Sequence, residues 1–87
     1  MTREKIVEDI KNILGEMAGV APEQVTEETS LFTELDVDSL LLLELIVALN
    51  GHFEIQLPKK ELCEQVEYVS DIVTYVEKGF LRAHQPQ

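Results

Sequence analysis

With 87 residues the chain has room for one compact domain, and too little for a deep substrate pocket with walls of its own. A hydrophobic fraction of 45% and a charged fraction of 28% exclude a disordered chain. Seventeen Asp and Glu against seven Lys and Arg give a formal net charge of −10, which disfavours nucleic acid and anionic lipid as partners and either favours basic protein surfaces or serves only to keep the domain soluble.

Four helices are predicted in chain order. The first runs from about Arg3 to Ala18, with Ile6, Val7, Ile10, Ile13, Leu14 and Met17 on one face and Glu4, Glu8, Lys11 and Asn12 opposite. Gly19 and Pro22 end it. The N-terminal Met1–Lys5 leads into this amphipathic pattern and not into the apolar core of a signal peptide. A long connection follows, roughly Val20 to Asp38. Its spaced apolar residues Val25, Leu31, Phe32 and Leu35 predict that it packs over the bundle, with a short helical turn near Ser30 to Glu34.

The second helix spans about Ser39 to His52, with Asp38 as its N-cap and Gly51 marking the far end. Four successive leucines, Leu40 to Leu43, cannot all face one stripe, so at least one of Leu41 and Leu42 is expected at the surface. A short third helix near Lys59 to Glu64 begins after Pro58, and a fourth, from about Val69 to Leu81, carries Ile72, Val73, Tyr75, Val76 and Phe80. The fold class is therefore all-α: a four-helix bundle with a long first loop and a short third helix. Its core is expected around Ile10, Leu14, Leu45, Leu49, Ile72 and Val76. Residues 1–81 form the single domain, and 82–87 a flexible C-terminal tail. No strand is predicted, since Phe53–Leu57 alternates but lacks a pairing partner.

The stretch Leu35-Asp36-Val37-Asp38-Ser39-Leu40 carries the chemistry. A serine in the first turn of a helix, behind an Asp cap, has an accessible hydroxyl. It sits where unpaired N–H groups and the positive end of the helix dipole tolerate an anion such as a phosphodiester. Taken alone, Asp38-Ser39 is better read as a plain helix start.

The wider pattern resembles the acyl carrier protein family, whose attachment motif has the form Leu-Gly-x-Asp-Ser-Leu. Leu35, Asp38, Ser39 and Leu40 match it, Glu44-Leu45 and Ala48-Leu49 follow at the family's spacing, and Phe53-Glu54-Ile55-Gln56-Leu57-Pro58 looks like its Phe-x-x-x-Ile-Pro segment. The resemblance covers roughly Ile6 to Val76. It implies that a phosphopantetheinyl transferase attaches 4′-phosphopantetheine from coenzyme A to Ser39, and that acyl-loading, condensing or transferring enzymes then use the arm's thioester. The chain would be a carrier and not an enzyme, a cytoplasmic monomer serving fatty-acid, polyketide or other secondary-metabolite biosynthesis. Asp36, Asp38, Leu40, Leu41, Leu43 and Glu44 would recognise partners. Two alternatives stand beside this: a free-standing aminoacyl, peptidyl or D-alanyl carrier, and an acidic adaptor that never carries a cofactor.

The chain departs from the family in four ways. Asp36 replaces the usual glycine; Leu41 and Leu42 stand where fatty-acid carriers have polar residues; Asn50-Gly51-His52 ends the second helix where bacterial fatty-acid carriers are rich in Glu; and Lys59 and Lys60 open the third helix where acids are common. These predict either a docking face that is less acidic and more apolar than a housekeeping carrier's, or, for Leu41 and Leu42, an enlarged core.

The remaining candidates read as structural. The one cysteine, Cys63, is expected as a buried or half-buried small hydrophobe, and it rules out an internal disulfide. Asp36 and Asp38 do not open a calcium loop, because Leu41 and Val47 occupy the glycine and bidentate-Glu positions, and no zinc spacing exists. Tyr68, Tyr75, Phe32, Phe53 and Phe80 are expected in the core or at its edge. The longest apolar run, Leu45 to Leu49, is far too short to span a bilayer.

Overall fold

The computed structural model describes residues 2–83 and contains four α-helices: α1 (Arg3–Ala18), α2 (Ser39–Phe53), α3 (Lys59–Gln65) and α4 (Val69–Ala83). Each end has a local cause. The Thr2 side chain caps α1 by accepting from the Lys5 N–H, and Gly19 closes it in the left-handed region at φ 74°. Asp71, in the first turn of α4, accepts from the backbone N–H of Glu67 and Tyr68, which is one half of a capping box. α4 continues through Ala83; the rest of the expected tail, 84–87, lies outside the described residues.

α1 packs against α2 and α4, and α3 packs against α2. The radius of gyration is 12.2 Å, against about 12 Å for a compact chain of this length. All six expected core residues, Ile10, Leu14, Leu45, Leu49, Ile72 and Val76, are buried. The connection between α1 and α2 also reaches the core, through the fully enclosed Val25 and Leu31 and the nearly enclosed Val37. Its backbone is tied to the segment before α4. Leu31 N–H donates to the Glu67 carbonyl, Val69 N–H to Thr29 and Ser70 N–H to Glu27, and an isolated antiparallel bridge joins Ser30 to Tyr68.

Several expectations need correction. Leu42 is buried and Leu41 is half-buried against the core, so neither is the surface leucine; the exposed ones are Leu40 and Leu43. The reason is angular. The buried stripe of α2 is Leu42, Leu45, Ile46, Leu49 and Phe53, and at about 100° per residue Leu40 falls nearly opposite its centre. Cys63 is exposed, because Leu62 alone supplies the buried contact of α3. Phe32 and Tyr68 are exposed, whereas Phe53 is buried and Tyr75 and Phe80 are half-buried. The Tyr75 hydroxyl donates to Glu61 at 2.6 Å, and that hydrogen bond holds the phenol's pKa above its ordinary value. A 3-10 turn at Pro22–Gln24 was not anticipated; it follows from Pro22 at its first position. Near Ser30 the expected helical turn is a single turn, with Thr33 N–H on Ser30 Oγ and Ser30 N–H on the Glu34 carboxylate.

Two glycines in the helices behave oppositely. A Cβ on Gly15 would lie 2.9 Å from the Val20 carbonyl oxygen, whereas one on Gly51 would meet nothing within 4 Å. Gly51→Ala is therefore expected to raise stability by up to about 1 kcal/mol through helix propensity, while Gly15→Ala lowers it by roughly 1–3 kcal/mol through overpacking. Urea midpoints of the two variants check this, and a common sign would refute it.

Asp9 is a buried acid inside the α1–α2 packing, with Lys5 Nζ at 2.9 Å and His52 Nε2 at 3.1 Å from its carboxylate oxygens. Burial pushes this carboxyl up, but donation by Lys5 and His52 outweighs burial, and its pKa lies below the ordinary value. A depressed folded-state pKa means that the contribution is fully present above the unfolded carboxylate's pKa of about 3.9. It is lost as pH falls through the lower folded value. Asp9→Asn should therefore flatten the decline in stability below about pH 4 relative to the parent. Urea titrations between about pH 5 and 3 read this out, and an unchanged acid limb would show that the pair adds nothing.

Candidate site of cofactor attachment

The segment before α2 is shaped by three local devices. Val37 N–H donates to the Leu31 carbonyl at 2.9 Å, which folds the chain back and buries the Val37 side chain. Asp36 takes the left-handed region at φ 54°, where the family's motif has glycine. That conformation costs a non-glycine residue roughly 1 kcal/mol, less for Asp, whose short polar side chain tolerates it. Asp38 then turns extended, and its Oδ1 accepts the Leu41 N–H at 2.8 Å, capping α2 as expected.

Ser39 is the first residue of α2 and is exposed. Its position follows from the devices just described: Val37 is pulled inward, Asp38 is committed to the cap, and the next side chain emerges beside the helix N-terminus. A hydroxyl there is open to a large enzyme, and an anion attached to it is favoured by the helix dipole. Asp36 and Asp38 oppose such an anion. Taking ~7 Å of separation in water-like dielectric, each repels it by about 0.6 kcal/mol, and the helix terminus returns about 0.3–1 kcal/mol. The two acids together cost about 1.2 kcal/mol and the helix terminus returns only part of it, a small net repulsion that a solvent-exposed phosphodiester on Ser39 tolerates.

The other sequence-predicted site residues lie around this point. Asp36, Asp38, Leu40, Leu43 and Glu44 are exposed, and Leu41 is half-buried. Sequence reasoning missed Val47, exposed at 57%, which continues the line from Leu40 at 67% and Leu43 at 39%. The spacing of three and then four residues, along a helix whose buried stripe is already complete, was the signal available.

Comparison with known proteins agrees with this geometry. Residues 8–76 match the family model described as a phosphopantetheine attachment site, so the chain is of the class that carries covalently attached 4′-phosphopantetheine. The acyl carrier protein of Wolinella succinogenes is 40% identical over 72 residues, covering 83% of this chain and 93% of that protein. The acyl carrier protein of Thermotoga maritima is 39% identical over 77 residues, covering 88% and 94%. The meromycolate extension acyl carrier protein of Mycobacterium leprae is 33% identical over 78 residues, covering 90% of this chain and 67% of that longer protein.

The chain belongs to the acyl carrier protein family. It is accordingly a carrier and not a catalyst, and its partners are a phosphopantetheinyl transferase and biosynthetic enzymes. An acidic adaptor without cofactor is not compatible with that membership. Among the described residues no helix is long and apolar enough to cross a membrane.

Proposed function

We propose that Ser39 is the attachment residue, and that the protein carries acyl intermediates as thioesters for fatty-acid, polyketide or other secondary-metabolite biosynthesis. The observation that carries this is the exposed hydroxyl at the first residue of α2, directly behind the Asp38 cap, inside the motif region of an acyl carrier protein. Ser39 Oγ attacks the coenzyme A phosphorus that bears pantetheine. An O–P bond forms, the pyrophosphate linkage breaks, adenosine 3′,5′-bisphosphate leaves, and the hydroxyl proton passes to a base on the transferase. The arm's thiol then accepts and gives up acyl groups on partner enzymes.

Asp36, Asp38, Leu40, Leu41, Leu43 and Glu44 surround Ser39 and contact those partners. The carrier acts in the cytoplasm as a monomer, with residues 1–81 as the working domain. Incubating the purified protein with coenzyme A and a broad-specificity phosphopantetheinyl transferase tests the reading. One added phosphopantetheine by intact mass supports it, and no addition to folded protein with any transferase would overturn it. Charging of the holo-protein by an adenylating enzyme in place of an acyl or malonyl transferase would move the cargo to an amino acid.

A further inference from the structure

α3 is the most lightly held helix of the bundle. It has seven residues, about two turns, too few to hold a helix in water without packing. Its N-cap is Pro58, which supplies no side-chain hydrogen bond. Leu62 is its one buried side chain, whereas α4 buries Val69, Ile72, Val73 and Val76. It packs against α2 and not closely against α4. The chain on either side is pinned more firmly. Before it, Leu57 N–H donates to Asn50 Oδ1 at 2.9 Å. After it, the Glu67 carbonyl accepts from Leu31 N–H at 2.9 Å, and Asp71 accepts from the N–H groups of Glu67 and Tyr68. The stretch from Pro58 to Val66 is therefore a short, weakly packed segment between two fixed points.

A side-chain hydrogen bond ties this segment to α4. The Tyr75 hydroxyl donates to Glu61 Oε2 at 2.6 Å. Tyr75 is half-buried and packs against the core, and Lys78 Nζ lies 5.5 Å from its ring centroid. The ring is thus held on α4, and its hydroxyl is a fixed post beside the lightly held helix. A carboxylate acceptor makes the bond charge-assisted and stronger than a neutral one. We infer that α3 is a hinged flap, opening as a unit between Pro58 and Val66 while α1, α2 and α4 stay folded, and that the Tyr75–Glu61 hydrogen bond is the latch that holds it shut. Segments with few buried contacts open locally at a free energy below that of global unfolding, and a tie that breaks on opening adds directly to that free energy. The inference does not depend on which residue bears the cofactor.

The test is native-state amide hydrogen exchange of the full-length protein, read residue by residue by NMR. Leu62 and Val66 N–H donate to the Pro58 and Leu62 carbonyls. They are expected to exchange at least about tenfold faster than the N–H groups of Leu45 and Val76, in the middle of α2 and α4. Low urea should change their rates little while speeding Leu45 and Val76 steeply, because a flap exposes little surface. Equal rates and equal urea slopes at all four amides would overturn the flap, since α3 would then open only with the whole bundle. Tyr75→Phe keeps the ring and removes the hydroxyl. It should speed exchange at Leu62 and Val66 by about threefold or more, and at Leu45 and Val76 as well, because unfolding breaks the same bond. Faster exchange at Leu45 and Val76 alone would mean that the bond survives opening, and would overturn the latch; so would unchanged rates at all four. Glu61→Gln, at an exposed position, should act in the same direction, and it carries the test if Tyr75→Phe does not fold. Adding Tyr75→Phe to Glu61→Gln should speed exchange less than Tyr75→Phe does in the parent. Full additivity would show that the two side chains act separately, and would overturn the latch.

Discussion

Ser39→Ala is expected to abolish phosphopantetheine addition completely while leaving the protein folded. The parent gains one phosphopantetheine by intact mass, and the variant gains none under the same transferase. The effect is total because neither of the other two serines, Ser30 and Ser70, is an exposed first residue of a helix behind an Asp cap. Ser30 is buried, and the Thr29 hydroxyl is turned inward toward the Thr26 backbone. The fold should tolerate the change, since the cap of α2 is made by Asp38 and the Ser39 side chain is exposed. A surface change of this kind alters stability by about 0.5 kcal/mol or less. A mass gain that persists in the variant would place the attachment elsewhere.

Leu45→Ala is expected to have the largest effect on stability. Leu45 is completely enclosed, within the buried stripe of α2. Truncating such a leucine costs about 2–5 kcal/mol, as lost transfer energy plus the cavity left behind. An 87-residue domain has only about 4–13 kcal/mol of total stability, so the variant loses a large fraction of it and is mostly unfolded if the parent lies at the lower end. Urea unfolding followed by circular dichroism gives the difference. A loss below about 1 kcal/mol would mean that the helices close over the gap, which a core packed from all sides resists.

Helix positions were legible in the sequence because each helix carries its own period and its own ends. Thr2, Gly19 and Asp38 sit where capping chemistry needs them, and the observed ends fall within about two residues of the expected ones. The inward residues of α1, α2 and α4 followed from spacing alone. Other features were less legible, because they depend on which elements meet. The order of burial among Leu40–Leu43 turns on the rotation of α2 about its axis, which four identical residues do not encode. Burial of Asp9 depends on Lys5 and His52 arriving from two helices to satisfy it, although its place three residues after Ile6, on the inward arc, was a usable hint. Exposure of Cys63 reflects the shortness of α3, which has one inward position and gives it to Leu62. The candidate attachment site was readable almost entirely, since its cap, its left-handed Asp36 and its serine lie within four consecutive positions.

The connection between α1 and α2 has one more consequence, for anyone who would shorten or replace it. Loops usually tolerate cuts and swaps because little depends on them. This one seals the bundle with Val25, Leu31 and Val37 and is laced by backbone hydrogen bonds to the α3–α4 junction. It is a fifth structural member without regular geometry. Its stiffness fixes where α2 begins, so a deletion between residues 25 and 37 would loosen the platform from which Ser39 is offered before it changed anything about the serine itself.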